Sequence, residues 1–234
     1  MPFSPEQFLD LDISFPGISF GYESWALESY LKVLEEQIEH ARAQYRLRAE
    51  RELESQRKEL EHYEYGSRLQ EIDEAADAQI PRFFRIGAVV SIWGLFESFV
   101  TDFAAYVGKK EQAGLSFKDI RSENLRVQIE KYFEKVLRIP VPWTKEERER
   151  LGCLQDLRNL LAHRNGRLMD LPPEGYDKVK KLVARMPGVS IDGSVVVVSP
   201  GFVTEAAALV FECVGRFSQQ LGDKYVQPIL RTDA

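Results

Sequence analysis

Three side chains that can bind anions or transfer protons stand close together in LRNLLAHRNG, residues 157–166. Arg158, Asn159 and His163 are spaced to share one face of a helix, and the small Ala162 leaves space between Arg158 and His163. Arginine binds phosphate oxygens through two parallel hydrogen bonds, and histidine transfers protons near neutral pH. The spacing predicts a small phosphate site capable of acid–base catalysis, although the same residue types are also common on a solvated helix face.

The helix that carries these residues has sequence signals at both ends. TKEE, residues 144–147, is a capping-box sequence, and Asn165 and Gly166 tolerate the left-handed conformation that ends a helix. His163 falls in the last turn, where the helix dipole favours the protonated imidazole. The leucines and Cys153 occupy one arc of the helical wheel. The opposite arc, which we expect to face away from the core, holds Gln155, Arg158, Asn159, Ala162 and His163.

A carboxylate in an earlier helix is a second candidate for the site. Glu97 lies in SIWGLFESFV, on the same helical face as Val90, Trp93 and Val100. Burial of a lone carboxylate is costly, so this position predicts a cationic or hydrogen-bonding partner, for which Arg158 is a candidate. A structural ion pair and a catalytic role both fit the pattern.

Taken together, these motifs give the chain a resemblance to a known family. RNLLAH (residues 158–163), the adjoining LQDL and RNG, and the WGLFE segment ending at Glu97 resemble the Arg-polar-x-x-x-His signature of HEPN domains, a superfamily of helical proteins rich in endoribonucleases. The resemblance covers about residues 80–220. It implies a helical bundle that dimerises, so that two such helices face each other across a cleft that binds RNA.

The resemblance also implies a chemistry that needs no metal or other cofactor. The ribose 2′-OH would attack the adjacent phosphate, with His163 as general acid or base, Arg158 stabilising transition-state charge, and Asn159 orienting the phosphate or Arg158. Many such proteins are bacterial toxins or defence nucleases, which implies an antitoxin or other partner protein. One branch carries a Tyr two residues after the His as its modification target. This chain has Asn165 there, which leaves Asn165 an auxiliary or structural role.

The remaining elements predict an all-α fold. We expect a long charged helix over residues 24–78, with a possible kink near Gly66, after an extended lead-in over residues 1–21. Further helices are expected at about 81–107, 119–138, 174–186 and 203–222, with a small β-hairpin at 189–199 before the last one. We place the HEPN-like domain at residues 79–234, and residues 1–78 are either an extension or part of the bundle.

Charge is unevenly distributed along the chain. Residues 1–78 hold 18 acidic and 8 basic side chains, whereas residues 79–234 hold 19 acidic and 23 basic ones. The stretch 164–185 has six basic residues against three acidic ones, which is compatible with a polyanionic ligand. We expect Arg164 and Arg167, next to the motif, to contact RNA.

The composition indicates an ordinary soluble protein. The N-terminus lacks the features of a signal peptide, and the longest uncharged apolar run, Ile86–Phe96, is shorter than the roughly 20 residues that a bilayer requires. Neither Cys153 nor Cys213 has metal-site or disulfide spacing. We therefore expect a cytoplasmic protein without a bound metal or membrane anchor.

Two alternatives to a ribonuclease remain open at this stage. A non-catalytic HEPN-like module could bind RNA or a nucleotide with the same arginine and histidine. An interaction protein could instead bind its partner through the long N-terminal helix and dimerise through the bundle. The sequence alone favours catalysis only mildly, because the first alternative requires the same residues.

Overall fold

The fold is helical, as the periodicity predicts, with a long N-terminal helix and a two-stranded hairpin before the last helix. The structure is a computed structural model that describes residues 12, 14–122 and 124–226. Its helices and strands are α1 (Pro16–Ser55), α2 (His62–Glu74), α3 (Ile80–Lys110), α4 (Leu125–Glu130), α5 (Lys145–Arg164), α6 (Pro173–Val183), β1 (Val189–Asp192), β2 (Val195–Val198) and α7 (Pro200–Tyr225).

The described residues divide into two compact units. Unit 1 comprises the described residues up to Ala26, those of Ile92–Asp156 and those from Ala206 onward, and unit 2 comprises Leu27–Ser91 and Leu157–Glu205. The motif residues at 158–163 and the β-hairpin therefore belong to unit 2. The domain boundary expected between residues 78 and 79 stays a prediction.

Unit 1 has an aromatic core that joins α3, α7 and the segment before α5. The Phe96 ring lies 4.9 Å from that of Trp93 and 5.6 Å from that of Trp143, between ring centroids. The Trp143 indole Nε1 donates a hydrogen bond to the Cys213 carbonyl at 3.0 Å, so this aromatic side chain is buried without an unsatisfied donor. Burial raises the pKa of the Cys213 thiol to about 12, which keeps the thiol protonated and unreactive.

Unit 2 contains an antiparallel helical hairpin made by α1 and α2. Arg46 binds Asp73 and Asp77 across the pair, each at 3.0 Å. On the packed side of α1, Leu34 and Ile38 are almost completely buried. Burial of both side chains stabilises this part of α1 within the fold, while the expected role of residues 1–78 as an extension or as part of the bundle stays a prediction.

The N-terminal helices differ from the expected single helix over 24–78. Residues 16–21 were expected to be extended, but α1 begins at Pro16, while most of the earlier lead-in lies outside the described residues. The break falls between Ser55 and His62, not at Gly66, which lies inside α2. At the new start the Glu61 amide donates to Glu64 Oε2 at 3.1 Å, so a carboxylate closes the first turn without a glycine or proline in the sequence.

Pro81 does not begin a helix, because α2 and α3 form one run. The two are joined by a π-helical turn at Ala75–Gln79. A proline inside a helix lacks an amide hydrogen and collides with the carbonyl four residues earlier. The carbonyl four residues before Pro81 belongs to Asp77, which lies within the π-helical turn. The wider turn accommodates the proline ring.

The other elements follow the sequence pattern with small shifts. The helix expected from about 119 begins only at Leu125, because Phe117–Asp119 form a separate 3-10 turn, and a π-helical turn at Lys131–Val136 continues it. The hairpin is confirmed, and its register pairs Asp192 with Val195 across a two-residue turn.

Among the described residues, one helical run is long and apolar enough to cross a membrane by length and composition. It covers His62–Lys110. The buried core helix of a soluble protein has the same properties, and α3 contributes Ala88, Val89, Ile92, Trp93 and Phe96 to the buried residues. The structure is compatible with a soluble protein.

Candidate functional site

The helix that carries the motif begins at the predicted cap. The Thr144 amide donates to Glu147 Oε2 at 2.8 Å, and the Glu147 amide donates to Thr144 Oγ1 at 3.2 Å. These reciprocal bonds satisfy two of the free amides at the helix start and fix the first residue of α5. The phase of the polar residues further along α5 follows from this start.

The motif residues lie on an accessible face of the last two turns of α5. Arg158 and Asn159 are half-buried, and Arg158 Nη1 donates to Asn159 Oδ1 at 3.1 Å. Ala162 and His163 are exposed, while Leu157 and Leu161 are fully buried on the other side. Arg158 and Asn159 are thus in contact and His163 is accessible one turn further along the helix, and a joint site of the three side chains stays a prediction.

The expected position of Gln155 on this face is wrong. Its side chain is buried, and Gln155 Oε1 accepts a hydrogen bond from the Leu125 amide at 3.2 Å. The amide belongs to the first turn of α4, where helix amides have no partner within the helix. The Gln155 side chain thus caps the start of α4. The periodicity of α5 cannot indicate a contact with another helix.

Glu97 is also placed differently from the prediction. Trp93 and Val100 are buried, but the Glu97 side chain is exposed to solvent. An exposed carboxylate carries no cost of burial that a cation must offset, and the pairing of Glu97 with Arg158 stays a prediction. The helical period identifies a face, but not how far along the helix that face is covered.

The end of α5 is held by the hairpin. Asn165 and Gly166 have φ angles of 52° and 70°, as the Asn-Gly signal predicts, and the Gly166 amide lies 3.4 Å from the Leu160 carbonyl. The Gly166 carbonyl accepts from the Val196 amide at 2.9 Å, and Arg167 pairs with Val195 as an isolated bridge. The segment directly after His163 therefore lies along the edge of β2.

The Arg82 side chain also holds the end of α5, which the motif does not predict. Arg82 in the first turn of α3 is only 5% exposed, and its Nη1 donates to the Asn165 carbonyl at 2.6 Å. Its Nη2 donates to Gln79 Oε1 at 2.9 Å. One face of α3 carries Arg82, Ile86, Val89 and Trp93, which follow one another at intervals of four, three and four residues. An arginine on an otherwise apolar face was the signal that could have identified it.

The chain that follows His163 carries several exposed cations. Arg164 and Arg167 are exposed, and on α6 so are Lys178, Lys180 and Lys181. Burial, and then the charge of Arg167, lower the pKa of the Arg82 guanidinium, although arginine remains charged. Across the described ranges neither Arg82 nor Arg167 forms an ion pair with a carboxylate, so their charges are not neutralised within the unit.

The comparisons with known proteins and the search for metal ligands give no further assignment. The chain matches no protein-family model, no curated protein and no solved structure. Within the part of the chain that the structure describes, no three or more His, Cys, Asp or Glu side chains are grouped so as to hold a metal ion. The residues at the end of α5 are therefore the candidate functional group of the described chain.

Proposed function

We propose that this protein is a metal-independent endoribonuclease of the HEPN type, acting at a cleft between two copies of the chain. The observation that supports it is the accessible group at the end of α5, in which Arg158 and Asn159 are hydrogen-bonded and His163 is exposed one turn further. A guanidinium and an imidazole on one surface can bind a phosphate and move a proton beside it. The resemblance of RNLLAH to the HEPN signature supports the same reaction.

The reaction requires two proton transfers and no other reactant. A base removes the proton from the ribose 2′-OH, and the oxygen attacks the adjacent phosphorus. The bond from phosphorus to the 5′ oxygen then breaks, and an acid protonates that oxygen. The products are a 2′,3′-cyclic phosphate and a 5′-OH. His163 serves as acid or base, Arg158 stabilises the negative charge that develops on the phosphate oxygens, and Asn159 holds the guanidinium in position.

The decisive experiment is cleavage of single-stranded RNA in excess EDTA. We expect the wild-type protein to cut RNA and to leave cyclic phosphate ends. His163→Ala should reduce the rate by about 10²–10⁴-fold through loss of the proton-transferring group, and Arg158→Ala by a similar factor. Arg158→Lys should restore only part of the activity, because an ammonium cannot form the planar two-pronged contact with phosphate.

Two matched variants serve as controls for this experiment. His40→Ala removes an exposed histidine from α1, and Arg150→Ala removes an exposed arginine from the first half of α5. Both should cut RNA at the wild-type rate. If the wild type leaves RNA intact in EDTA, or if His163→Ala cuts as fast as His40→Ala, the nuclease proposal is wrong. Binding of RNA without cleavage would identify the non-catalytic alternative.

The biological setting proposed here follows from the resemblance. A HEPN-type ribonuclease would act in the cytoplasm as a toxin or defence nuclease, with an antitoxin or other partner protein to restrain it. Asn165 occupies the position where one branch of these proteins has a modifiable tyrosine. Its main chain is bound by Arg82 and adopts a left-handed conformation, which supports a structural role for this residue.

A further inference from the structure

An aromatic ring lies exposed beside the turn that ends α5. Phe83 is 50% exposed and is the most exposed phenylalanine among the described residues. The guanidinium carbon of Arg82 lies 4.9 Å from the centroid of its ring. A cation against an aromatic face is attracted to the ring electrons, so Arg82 holds Phe83 in place while half of its surface remains in water.

Among the described residues, no carboxylate forms an ion pair with Arg82 or with Arg167. Arg82 donates through Nη1 and Nη2 to two neutral oxygens, and its buried Nε has no hydrogen-bond partner. Arg167 is exposed and lies two residues beyond Asn165, whose carbonyl Arg82 binds. Its positive charge acts on Arg82. Two like charges that are held together without a carboxylate favour the binding of an external anion.

We propose that Phe83, Arg82 and Arg167 form a nucleotide subsite for single-stranded RNA. The base stacks on the exposed part of the Phe83 ring, and the phosphate binds the guanidinium of Arg167, with the buried charge of Arg82 beneath. This inference rests on the proposed function in taking RNA as the ligand, and it adds a position that the R-x4-H motif does not contain.

The structure favours a nucleotide over other anions because it offers both parts of one. An exposed aromatic ring stacks with any base, and guanidinium groups bind the backbone phosphate; together they are the usual means by which proteins hold single strands. The turn that carries Arg167 follows His163 directly, and the Gly166 carbonyl bond to Val196 fixes its path. A nucleotide here adjoins the one that is cut.

The test measures binding of a short single-stranded RNA to the His163→Ala protein, which is expected to leave the RNA intact. Phe83→Leu should weaken binding by about 5- to 150-fold, the range for loss of one stacked base. Arg167→Gln should weaken binding and make the fall of log affinity with log salt concentration less steep. The magnitude of the slope should decrease by about 0.7, the value for one lost phosphate contact. Tyr63→Leu and Arg51→Gln are the matched controls, an exposed aromatic residue on α2 and an exposed arginine on α1 of the same unit.

A second ligand separates the base from the phosphate. Inorganic polyphosphate has no base, so Arg167→Gln should weaken its binding, whereas Phe83→Leu should not. The subsite is overturned if Phe83→Leu binds RNA like Tyr63→Leu, if Phe83→Leu weakens polyphosphate as much as RNA, or if the protein binds no RNA. Cleavage is measured separately on the wild type, so an intact subsite in a protein that cuts nothing would refute the proposed reaction alone.

Discussion

Gly166 is the residue on which the geometry at the end of the motif helix depends most directly. Its φ of 70° is in the left-handed region, and a Cβ placed on it would lie 3.2 Å from the Val196 carbonyl oxygen. An L-residue with a side chain is disfavoured in this conformation by about 1–2 kcal/mol. The glycine thus allows the chain to leave α5 and to pair at once with β2.

We expect Gly166→Ala to lower the melting temperature, since the backbone penalty and the close contact with a carbonyl act in the same direction. Gly66→Ala is the control. Gly66 lies inside α2 with no atom within 4 Å of an added Cβ, and alanine in a helix is favoured over glycine by about 0.5–1 kcal/mol. Thermal unfolding should therefore shift down for the first variant and up for the second. An unchanged or higher midpoint for Gly166→Ala would contradict the described turn.

For single residues, the sequence predicts the features that depend only on near neighbours in the chain. The shared face of Arg158, Asn159 and His163 follows from helical spacing, and the turn at Asn165 follows from residue type. The role of Arg82 does not follow, because its partner Asn165 is 83 positions away in the chain. Its bond with the Asn165 carbonyl is set by packing within unit 2, which no local pattern encodes.

The capping box at the start of α5 can be tested with a single substitution. Thr144 supplies one half of the capping box, and its loss would leave the Glu147 amide without its side-chain partner. We expect Thr144→Ala to lower the free energy of unfolding by about 1 kcal/mol, measured by chemical denaturation. Lys145→Ala, an exposed neighbour at the first helical position, should have little effect. Equal effects of the two changes would mean that the cap does not stabilise the helix start.

Helix boundaries were predictable where a capping sequence marks them and not elsewhere. The start of α5 is at the predicted position, whereas the break after Ser55 falls in a run of charged residues that has no glycine or proline. Pro81 predicted a helix start, but the π-helical turn before it removes the conflict between proline and the preceding carbonyl. Such local widening depends on how the two sides of the helix pack, and a single residue type does not indicate it.

At the scale of the whole chain, acidic residues are concentrated before residue 79 and basic residues after it. The structure assigns Leu27–Ser91 and Leu157–Glu205 to one compact unit, so an acidic and a basic stretch fold together in unit 2. Two arginines of α1 are paired with carboxylates, Arg42 with Asp77 and Arg46 with Asp73. The exposed Arg164 and Arg167 have no such pair among the described residues, which leaves the positive charge near the motif available to a ligand.

The proposed reaction also fixes the oligomeric state of the protein. A cleft with two copies of the motif requires a two-fold dimer with the face of Arg158 and His163 at its interface, and closed two-fold pairing is the commonest form of soluble oligomer. We expect sedimentation equilibrium at micromolar concentration to give twice the monomer mass of 26.9 kDa.

Ala162 is exposed between the two motif side chains, so Ala162→Arg should set like charges against each other across the axis and shift the protein to monomer without loss of helicity. Ala43→Arg, at an exposed position of α1, should remain dimeric. A monomeric wild type at these concentrations, or a dimer that Ala162→Arg leaves intact, would place the motif outside any interface.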